Sequence, residues 1–393
     1  MIFYTRKIYK ELSEHLEKRP VTVITGMRRT GKTTLLRKLL EDAPTINKLY
    51  LDLERLDVQE LFSQKNFDNI VLALANFGLN PKQKMFLALD EIQLLPQVSS
   101  VIKYLYDHYD IKFLVSGSSS YYLKNLFSES LAGRKKIFDL YPLDFGEYLT
   151  FKGVPYVPTD FLPTSINATE YERLRAYYED FIEWGGFPEV VLAGDPKDKK
   201  DLLGDIVSSY INIDIKSLAD FKNGADIYSL LKLLAGRIGS RLDYAKLASA
   251  AGLSRITVMS YLEFFEKTYL LTRLPVVAKR PDREIVKAKK LYFADNGLAG
   301  FLADLSSGTK FENAVFNQLR GRGDLRYYSL KSGKEIDFVL NNVAALEVKE
   351  TPAEFDLQDL TRLAAGIDLK NSRLIGRKMP PKFRDFIWGG DIK

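Results

Sequence analysis

Short apolar runs alternate with longer amphipathic segments in the first part of the chain. Four apolar runs have the length and composition of buried strands: VTVIT at 21–25, LYLDLE at 49–54, MFLALDE at 85–91 and KFLVSG at 112–117. The segments between them, such as TTLLRKLLED, carry apolar residues at helical spacing. Continuous apolar strands that alternate with amphipathic helices are typical of a parallel sheet covered on both faces. The pattern predicts an α/β domain over residues 1–150.

The pattern changes after this domain. The proline-rich stretch KGVPYVPTDFLPTS and the helical spacing that follows it predict a linker and a helical lid over 151–240. The segment DYAKLASAAGLSRITVMSYLEFFEKTYLL predicts two helices joined by a turn, and strand-like runs follow around a basic loop. This order is that of a winged helix-turn-helix, over 241–305. The order of helical and strand-like patterns over residues 306–393 predicts a separate small α/β unit.

Composition excludes several classes of protein. The 393 residues include no cysteine and only two histidines, which excludes disulfides, zinc-thiolate sites, cysteine nucleophiles and histidine-rich metal sites. The N-terminal residues are charged throughout, and the chain has no apolar run long enough for a membrane span. We therefore expect a soluble cytoplasmic protein with no membrane partner. A net charge of +6 suits a polyanionic partner but does not identify one.

The loop after the first predicted strand carries the most specific motif. In TGMRRTGKTT, the pattern G-x-x-x-x-G-K-[ST] predicts a P-loop, whose glycines let backbone N–H groups approach phosphate oxygens. Lys32 would reach the β- and γ-phosphates, and the Thr33 hydroxyl would ligate Mg²⁺. A chance match is the alternative, but the motif follows a strand and opens a helix. ATP and Mg²⁺ are the expected cofactors. The residues expected to hold ATP are Gly26, Met27, Arg28, Arg29, Thr30, Gly31, Lys32, Thr33 and Thr34.

A second acidic motif ends the third predicted strand. Asp90 would hold Mg²⁺ together with Thr33, and Glu91 would orient or deprotonate the attacking water. The alternative is a pair of solvated acids that cap a helix. In KFLVSGSS, Ser116 and Ser118 would lie at a strand tip, where a hydroxyl could sense the γ-phosphate; either could also be a turn residue.

These motifs, with the SLAGR segment and WGGFPEVV after them, resemble the AAA+ type ATPases of bacteria and archaea. More narrowly, the whole chain resembles the family in which such a module precedes a winged-helix segment and a restriction-nuclease-like C-terminal domain. The resemblance implies that Arg134 is an arginine finger and that Gly186 and Pro188 contact the nucleotide. Arg28 and Arg29 could instead supply charge in cis, and Arg134 could be an ordinary structural or phosphate-facing arginine. Action of Arg134 in trans would require a homo-oligomer.

The predicted winged helix carries a candidate DNA surface. Ser254 is expected to cap the recognition helix, and Arg255 lies at the end that usually contacts bases. The basic loop that follows suits phosphate contacts, so recognition of DNA structure or backbone is expected more than of sequence. The alternatives are a solvated hairpin or a protein-binding surface. The candidate DNA-binding residues are Arg255, Lys279, Arg280, Lys287, Lys289 and Lys290.

Four residues near the C-terminus form a possible nuclease site. KEIDFVL and ALEVK predict a hairpin that brings Asp337 near Glu347, while Glu347 and Lys349 share a face by period two. Paired carboxylates bind Mg²⁺, and a lysine can activate water at a phosphodiester. The arrangement resembles the PD-(D/E)XK nuclease pattern, with Glu312 as the additional acid. A degenerate nuclease fold or a surface ion-pair ladder is the alternative.

Two functions remain open from the sequence. The chain is either an ATPase that binds DNA and couples nucleotide state to its nuclease-like domain, or a nucleotide-dependent switch that acts through protein contacts with an inactive nuclease-like domain. Endonuclease activity is left open in the first case. A small-molecule kinase would explain the P-loop but leaves the later domains without a task.

Overall fold

The computed structural model describes residues 3–118, 131, 133–156, 166–215, 224–277, 288–330 and 332–392. The chain forms two compact units. The N-terminal unit comprises residues 1–141, 213–220 and 267–269, and the C-terminal unit comprises 142–212, 221–266 and 270–393. The predicted division of the chain at residues 150, 240 and 305 stays a prediction.

A parallel sheet of five strands forms the centre of the N-terminal unit, as predicted. Its order is β2-β3-β4-β1-β5, so the strand that leads into the P-loop lies between β4 and β5. Each described pairing in this sheet is parallel. The strands are β1 (Val21–Thr25), β2 (Lys48–Asp52), β3 (Met85–Asp90), β4 (Ile111–Gly117) and β5 (Lys135–Asp139).

Helices cover both faces of this sheet. One apolar cluster packs α3, α4 and α5 against the sheet, and a second cluster packs α1 and α2 against the other face. The three central strands β1, β3 and β4 are buried along their full length, which explains their continuous apolar sequences. The helices are α1 (Tyr9–Leu16), α2 (Lys32–Asp42), α3 (Leu56–Phe62), α4 (Asp68–Asn76) and α5 (Val98–His108).

The C-terminal unit begins with helices. A π-helix at Tyr210–Ile215 continues α9, and its last three residues belong to the N-terminal unit. The helices before the next sheet are α6 (Phe145–Phe151), α7 (Ala168–Trp184), α8 (Pro188–Leu192), α9 (Pro196–Ser209), α10 (Gly224–Ala235), α11 (Tyr244–Ala251) and α12 (Arg255–Lys267). None of the helices that the structure describes is long and apolar enough to cross a membrane.

A turn joins α11 to α12 at the position predicted from the sequence. Gly252 adopts φ 65°, a left-handed conformation that ends α11. The Ser254 hydroxyl accepts a hydrogen bond from the Thr257 N–H at 3.0 Å, which confirms the predicted cap. A two-stranded antiparallel sheet follows, formed by β6 (Leu271–Leu274) and β7 (Lys290–Phe293).

The chain ends in a second five-stranded sheet, ordered β12-β11-β10-β9-β8. The predicted hairpin of β9 and β10 is confirmed, and both Asn341 and Asn342 adopt φ 53° in its turn. The elements are α13 (Asn296–Leu302), α14 (Ser307–Leu319), β8 (Leu325–Ser329), β9 (Glu335–Leu340), β10 (Ala344–Lys349), α15 (Glu354–Ala365), β11 (Asn371–Gly376) and β12 (Ile387–Trp388).

Candidate functional sites

The P-loop runs from the end of β1 to the start of α2. A Cβ atom on Gly26 would lie 2.0 Å from the carbonyl oxygen of Leu140, so only glycine fits there. Gly31 adopts φ 96°, which also favours glycine. The buried Lys32 ammonium donates to the carbonyl oxygen of Met27 at 2.8 Å. Burial lowers the pKa of Lys32, and nearby carboxylates oppose that shift.

Arg6 supports the same loop, and the sequence analysis missed it. Its guanidinium donates to the carbonyl oxygen of Thr30 at 2.9 Å and to that of Tyr141 at 2.8 Å. Arg6 precedes the first helix and lies 24 residues from Thr30 in sequence. No local motif signals this contact, because it depends on where the N-terminal segment packs.

Asp90 lies at the centre of a cluster of hydroxyl groups. Its carboxylate accepts from the Thr33 hydroxyl at 2.6 Å and from the Tyr50 hydroxyl at 2.9 Å. The Ser116 hydroxyl donates to the other carboxylate oxygen. The fold therefore brings together Thr33, Asp90 and Ser116, three residues proposed from separate motifs. Tyr50, on β2, was missed.

The oxygen atoms of Thr33 and Asp90 fit a magnesium ion. Mg²⁺ prefers oxygen ligands, and a P-loop hydroxyl with a strand-end carboxylate 2.6 Å away is a donor set of that kind. Asp90 is buried at the end of β3, so its charge faces this site and not bulk water.

A ring of side chains surrounds Glu91. Arg28 contacts Asp214 at 3.1 Å and Glu91 at 3.7 Å. The Ser118 hydroxyl donates to Asp214 at 3.1 Å, and the Gln93 amide donates to Ser118 at 3.0 Å and also to Glu91. The ring thus holds the proposed catalytic carboxylate between a cation and an amide.

Asp214 was missed by the sequence analysis, which assigned this segment to a helical lid. It is buried on the part of the π-helix that belongs to the N-terminal unit. Burial raises the pKa of Asp214, and Arg28 and Ser118 oppose that shift. Burial also lowers the pKa of Arg28, but Asp214 and Glu91 outweigh it and hold that pKa above its usual range.

Glu91 itself has an unusual backbone conformation. Its φ of 52° is in the left-handed region, which a residue with a Cβ atom adopts at a cost. A strained residue at the end of a parallel strand is a frequent feature of functional sites. In this conformation the side chain of Glu91 contacts Arg28 and Gln93.

Arg134 lies far from the P-loop of its own chain. It directly precedes β5, where Lys135 pairs with Val21 at the start of β1, whereas the P-loop follows Thr25 at the end of β1. Five strand residues span about 13 Å, more than an arginine side chain can bridge. Arg134 forms an ion pair with Asp107 at 3.0 Å. The finger role of Arg134 stays a prediction, and this position favours action in trans over action in cis.

Gly186 lies in a loop held by a buried carboxylate. Its N–H donates to Asp295 at 2.7 Å, and a Cβ atom on Gly186 would lie 2.1 Å from the carbonyl oxygen of Leu143. Burial raises the pKa of Asp295 to about 6. Glycine is thus required here for close packing within the C-terminal unit. The predicted contact of Gly186 and Pro188 with the nucleotide stays a prediction.

The candidate DNA-binding residues have different surroundings. Arg255 is exposed at the start of α12, and Lys289 is half-buried. The prediction that Lys290 binds DNA is wrong, because its side chain is 1% exposed and forms ion pairs with carboxylates. It therefore lies outside any surface that contacts phosphate. Lys279, Arg280 and Lys287 lie outside the described residues.

The predicted C-terminal constellation is brought together. The Asp337 carboxylate accepts from the Val348 N–H at 3.0 Å, next to Glu347. The Lys349 ammonium lies 3.1 Å from Glu347. Burial and the charge of Asp337 raise the pKa of Glu347 to about 8, and the same two causes raise that of Glu312 to about 7.

Lys290 lies among these acids, together with Glu335. Its ammonium is 2.8 Å from Glu335, 3.3 Å from Asp337 and 3.6 Å from Glu312. Within the part of the chain that the structure describes, no group of three or more acidic or histidine side chains is arranged to hold a metal ion. The site thus does not fit the metal that the nuclease resemblance implies.

Comparison with known proteins supports an AAA domain in the chain. Residues 18–149 match the family model described as "AAA domain". Residues 175–309 match a model described as "Domain of unknown function (DUF8612)". An uncharacterised protein of Methanocaldococcus jannaschii is 26% identical, and the match covers 93% of this chain and 84% of that protein. An uncharacterised protein of Haemophilus influenzae is also 26% identical, over 86% of this chain and 85% of its own length.

Several solved structures have a distant likeness to the chain. The Aeropyrum pernix ORC1 protein in complex with DNA is 12% identical with a TM-score of 0.36, covering 77% of this chain and 92% of its own. The Thermotoga maritima RuvB Holliday junction branch migration motor is 18% identical with a TM-score of 0.32, covering 68% and 89%. At these values the likeness carries no argument about what this chain binds.

Proposed function

We propose that this chain is an ATPase of the AAA+ type that binds and hydrolyses ATP with Mg²⁺ and couples its nucleotide state to binding of DNA. The observation that carries the ATPase proposal is the 2.6 Å hydrogen bond between the Thr33 and Asp90 side chains at the foot of the P-loop. Two motifs that lie 57 residues apart thereby meet where a nucleotide-bound magnesium ion would be held.

Each residue of this site has a distinct chemical task. Thr33 and Asp90 would hold Mg²⁺, which neutralises charge on the transferred phosphoryl group when bound. Lys32 would exchange its hydrogen bond to the Met27 carbonyl for phosphate oxygens. Glu91 would orient the attacking water and accept its proton, and Ser116 would report on the γ-phosphate through Asp90.

Substitution of two residues separates binding from chemistry. Lys32→Ala is expected to abolish ATP binding, because the ammonium neutralises phosphate charge in the ground state. Glu91→Gln is expected to keep binding but to lower kcat by about a hundredfold or more, since general-base catalysis contributes 10²–10⁴-fold. Binding of a fluorescent ATP analogue and phosphate release measure the two steps. Hydrolysis by Glu91→Gln at the wild-type rate would show that the base is elsewhere.

DNA binding is proposed for the region of α11, α12, β6 and β7, in the manner of a winged helix. The order of these elements, the capped start of α12 and the exposed Arg255 support it. The ATPase rate measured with and without single- and double-stranded DNA tests the coupling. Saturable stimulation supports this proposal.

A second function has its own observation. Ile256 is 78% exposed and Met259 is 44% exposed on the same helix, and apolar side chains of this size suit a protein partner better than a phosphate backbone. A nucleotide-dependent switch that acts through protein contacts would use this face of α12. An ATPase rate and a DNA affinity that are both unaffected by α12 substitutions would favour the switch.

A further inference from the structure

Carboxylates on α14 and β9 surround a cation that the chain itself supplies. Lys290 is the first residue of β7, and its side chain is 1% exposed. Its ammonium lies within 3.6 Å of carboxylate oxygens from Glu312 on α14 and from Glu335 and Asp337 on β9. The Tyr327 ring lies 5.6 Å away and encloses the ammonium further.

Both oxygens of Asp337, and one oxygen each of Glu312 and Glu347, already have partners. Asp337 uses one carboxylate oxygen for Lys290 and the other for the Val348 N–H. The Glu312 oxygen nearest to Lys290 also accepts from the Tyr292 hydroxyl at 2.6 Å. One oxygen of Glu347 accepts from Lys349, and its other oxygen has no hydrogen-bond partner in the described part of the chain.

The position and the charge of Lys290 also disfavour a metal ion at this site. A divalent ion bound by Asp337 and Glu312 would need oxygen distances of about 2.0–2.6 Å, which puts it in the volume of the ammonium. Two like charges this close repel strongly in a buried site. The Lys290 ammonium lies within 3.6 Å of three carboxylates and already supplies the positive charge next to them.

We propose that Lys290 is the resident cation of this carboxylate site and that it excludes divalent metal. The C-terminal sheet then keeps the arrangement of a nuclease-like site without the metal-dependent step, and its acids and Lys290 hold β7 against α14 and β9. This inference does not rest on ATP hydrolysis, because the residues involved all lie in the C-terminal unit.

Binding of Mn²⁺ to the full-length protein tests the proposal. Bound Mn²⁺ is counted by electron paramagnetic resonance without nucleotide, and each protein is compared with the same protein carrying Asp337→Asn. The difference isolates the C-terminal site from the P-loop. Wild type is expected to show no difference, whereas Lys290→Met is expected to gain one Mn²⁺ per chain, with affinity at least about tenfold tighter than wild type because an adjacent like charge is gone.

A matched control is Lys334→Met, which removes a charge next to Glu335 from a side chain that is 59% exposed. It is expected to bind Mn²⁺ as wild type does. Binding of Mn²⁺ by wild type that Asp337→Asn removes would overturn the proposal, and this arm stands even if Lys290→Met does not fold. A folded Lys290→Met protein that gains no Mn²⁺ would overturn it too.

Discussion

Arg28 is the P-loop residue that connects the phosphate site with three carboxylates. It lies 3.1 Å from Asp214 and 3.7 Å from both Glu91 and Glu54. The shortest of these ion pairs is also the most buried, because the side chain of Asp214 is 4% exposed whereas that of Glu54 is 56% exposed. The ion pair of Arg28 with Asp214 is therefore stronger than its ion pair with Glu91. Asp214 thus limits how strongly Arg28 attracts Glu91.

Substitution of Asp214 tests this role at the residue scale. In Asp214→Asn, Arg28 would form a closer ion pair with Glu91, which makes Glu91 a weaker base. The kcat for ATP is expected to fall about tenfold, which corresponds to about 1.4 kcal/mol in activation free energy. KM is expected to change little, because Lys32 and the loop backbone remain. Steady-state phosphate release measures both values. Glu54→Gln is the control, since that exposed partner is screened by water and its loss is expected to leave kcat near wild type.

An unchanged kcat for Asp214→Asn would mean that Arg28 does not restrain Glu91. A rise in KM without a change in kcat would instead assign Arg28 and Asp214 to nucleotide binding.

At the element scale, two neighbouring lysines at the start of β7 have different surroundings. Lys289 is half-buried next to the basic loop, whereas Lys290 is buried among acids. Lys289 precedes β7, whereas Lys290 is its first residue and its ammonium reaches Glu335 and Asp337. Lys290 is therefore removed from the lysines predicted to contact DNA, and Lys279, Lys287 and Lys289 remain.

Removal of two of the remaining lysines, Lys287 and Lys289, is expected to weaken DNA binding for all sequences. Lys287→Ala combined with Lys289→Ala would lower the slope of log affinity against log salt by up to about 0.9 per lost phosphate contact on duplex DNA. Fluorescence anisotropy over a salt series measures affinity and slope together. The matched control is Lys197→Ala with Lys200→Ala on α9, which removes the same charge from exposed positions. If both double variants weaken DNA binding equally, the effect comes from net charge, and Lys287 and Lys289 do not contact DNA specifically.

At the scale of the whole molecule, Arg134 raises the question of assembly. It lies at the amino ends of the parallel strands, whereas the P-loop follows the carboxyl end of β1. Its partner Asp107 is partly exposed. We predict that Arg134 contributes to hydrolysis at the nucleotide site of a second copy.

Mixing of two inactive variants tests this arrangement. Arg134→Ala is expected to keep ATP binding and to lose hydrolysis by about a thousandfold, the lower end of what arginine fingers contribute. Addition of Lys32→Ala, which retains Arg134, is expected to restore part of the activity. Asp107→Asn is the control and is expected to hydrolyse ATP, since it frees Arg134 without removing it. Failure of the mixture to hydrolyse ATP would remove the finger role, and analytical ultracentrifugation would report whether the copies associate.

The sequence by itself determined the elements whose signals are local. Buried parallel strands are apolar along their length, a P-loop needs its glycines and lysine in one short stretch, and Ser254 caps the helix that directly follows it. The β9 and β10 hairpin was predictable for the same reason, because its turn residues lie next to each other in the chain.

Only the tertiary structure decided which distant residues share a site. Arg6 and Asp214 join the P-loop across 24 and 186 residues of sequence, and Lys290 joins Asp337 across 47. No local sequence pattern identifies the partners of these residues, because an isolated arginine, aspartate or lysine is usually predicted to be a charged surface residue. Each becomes a buried group with specific partners because packing removes water from it, and a charge without water must be satisfied by an opposite charge or by hydrogen bonds.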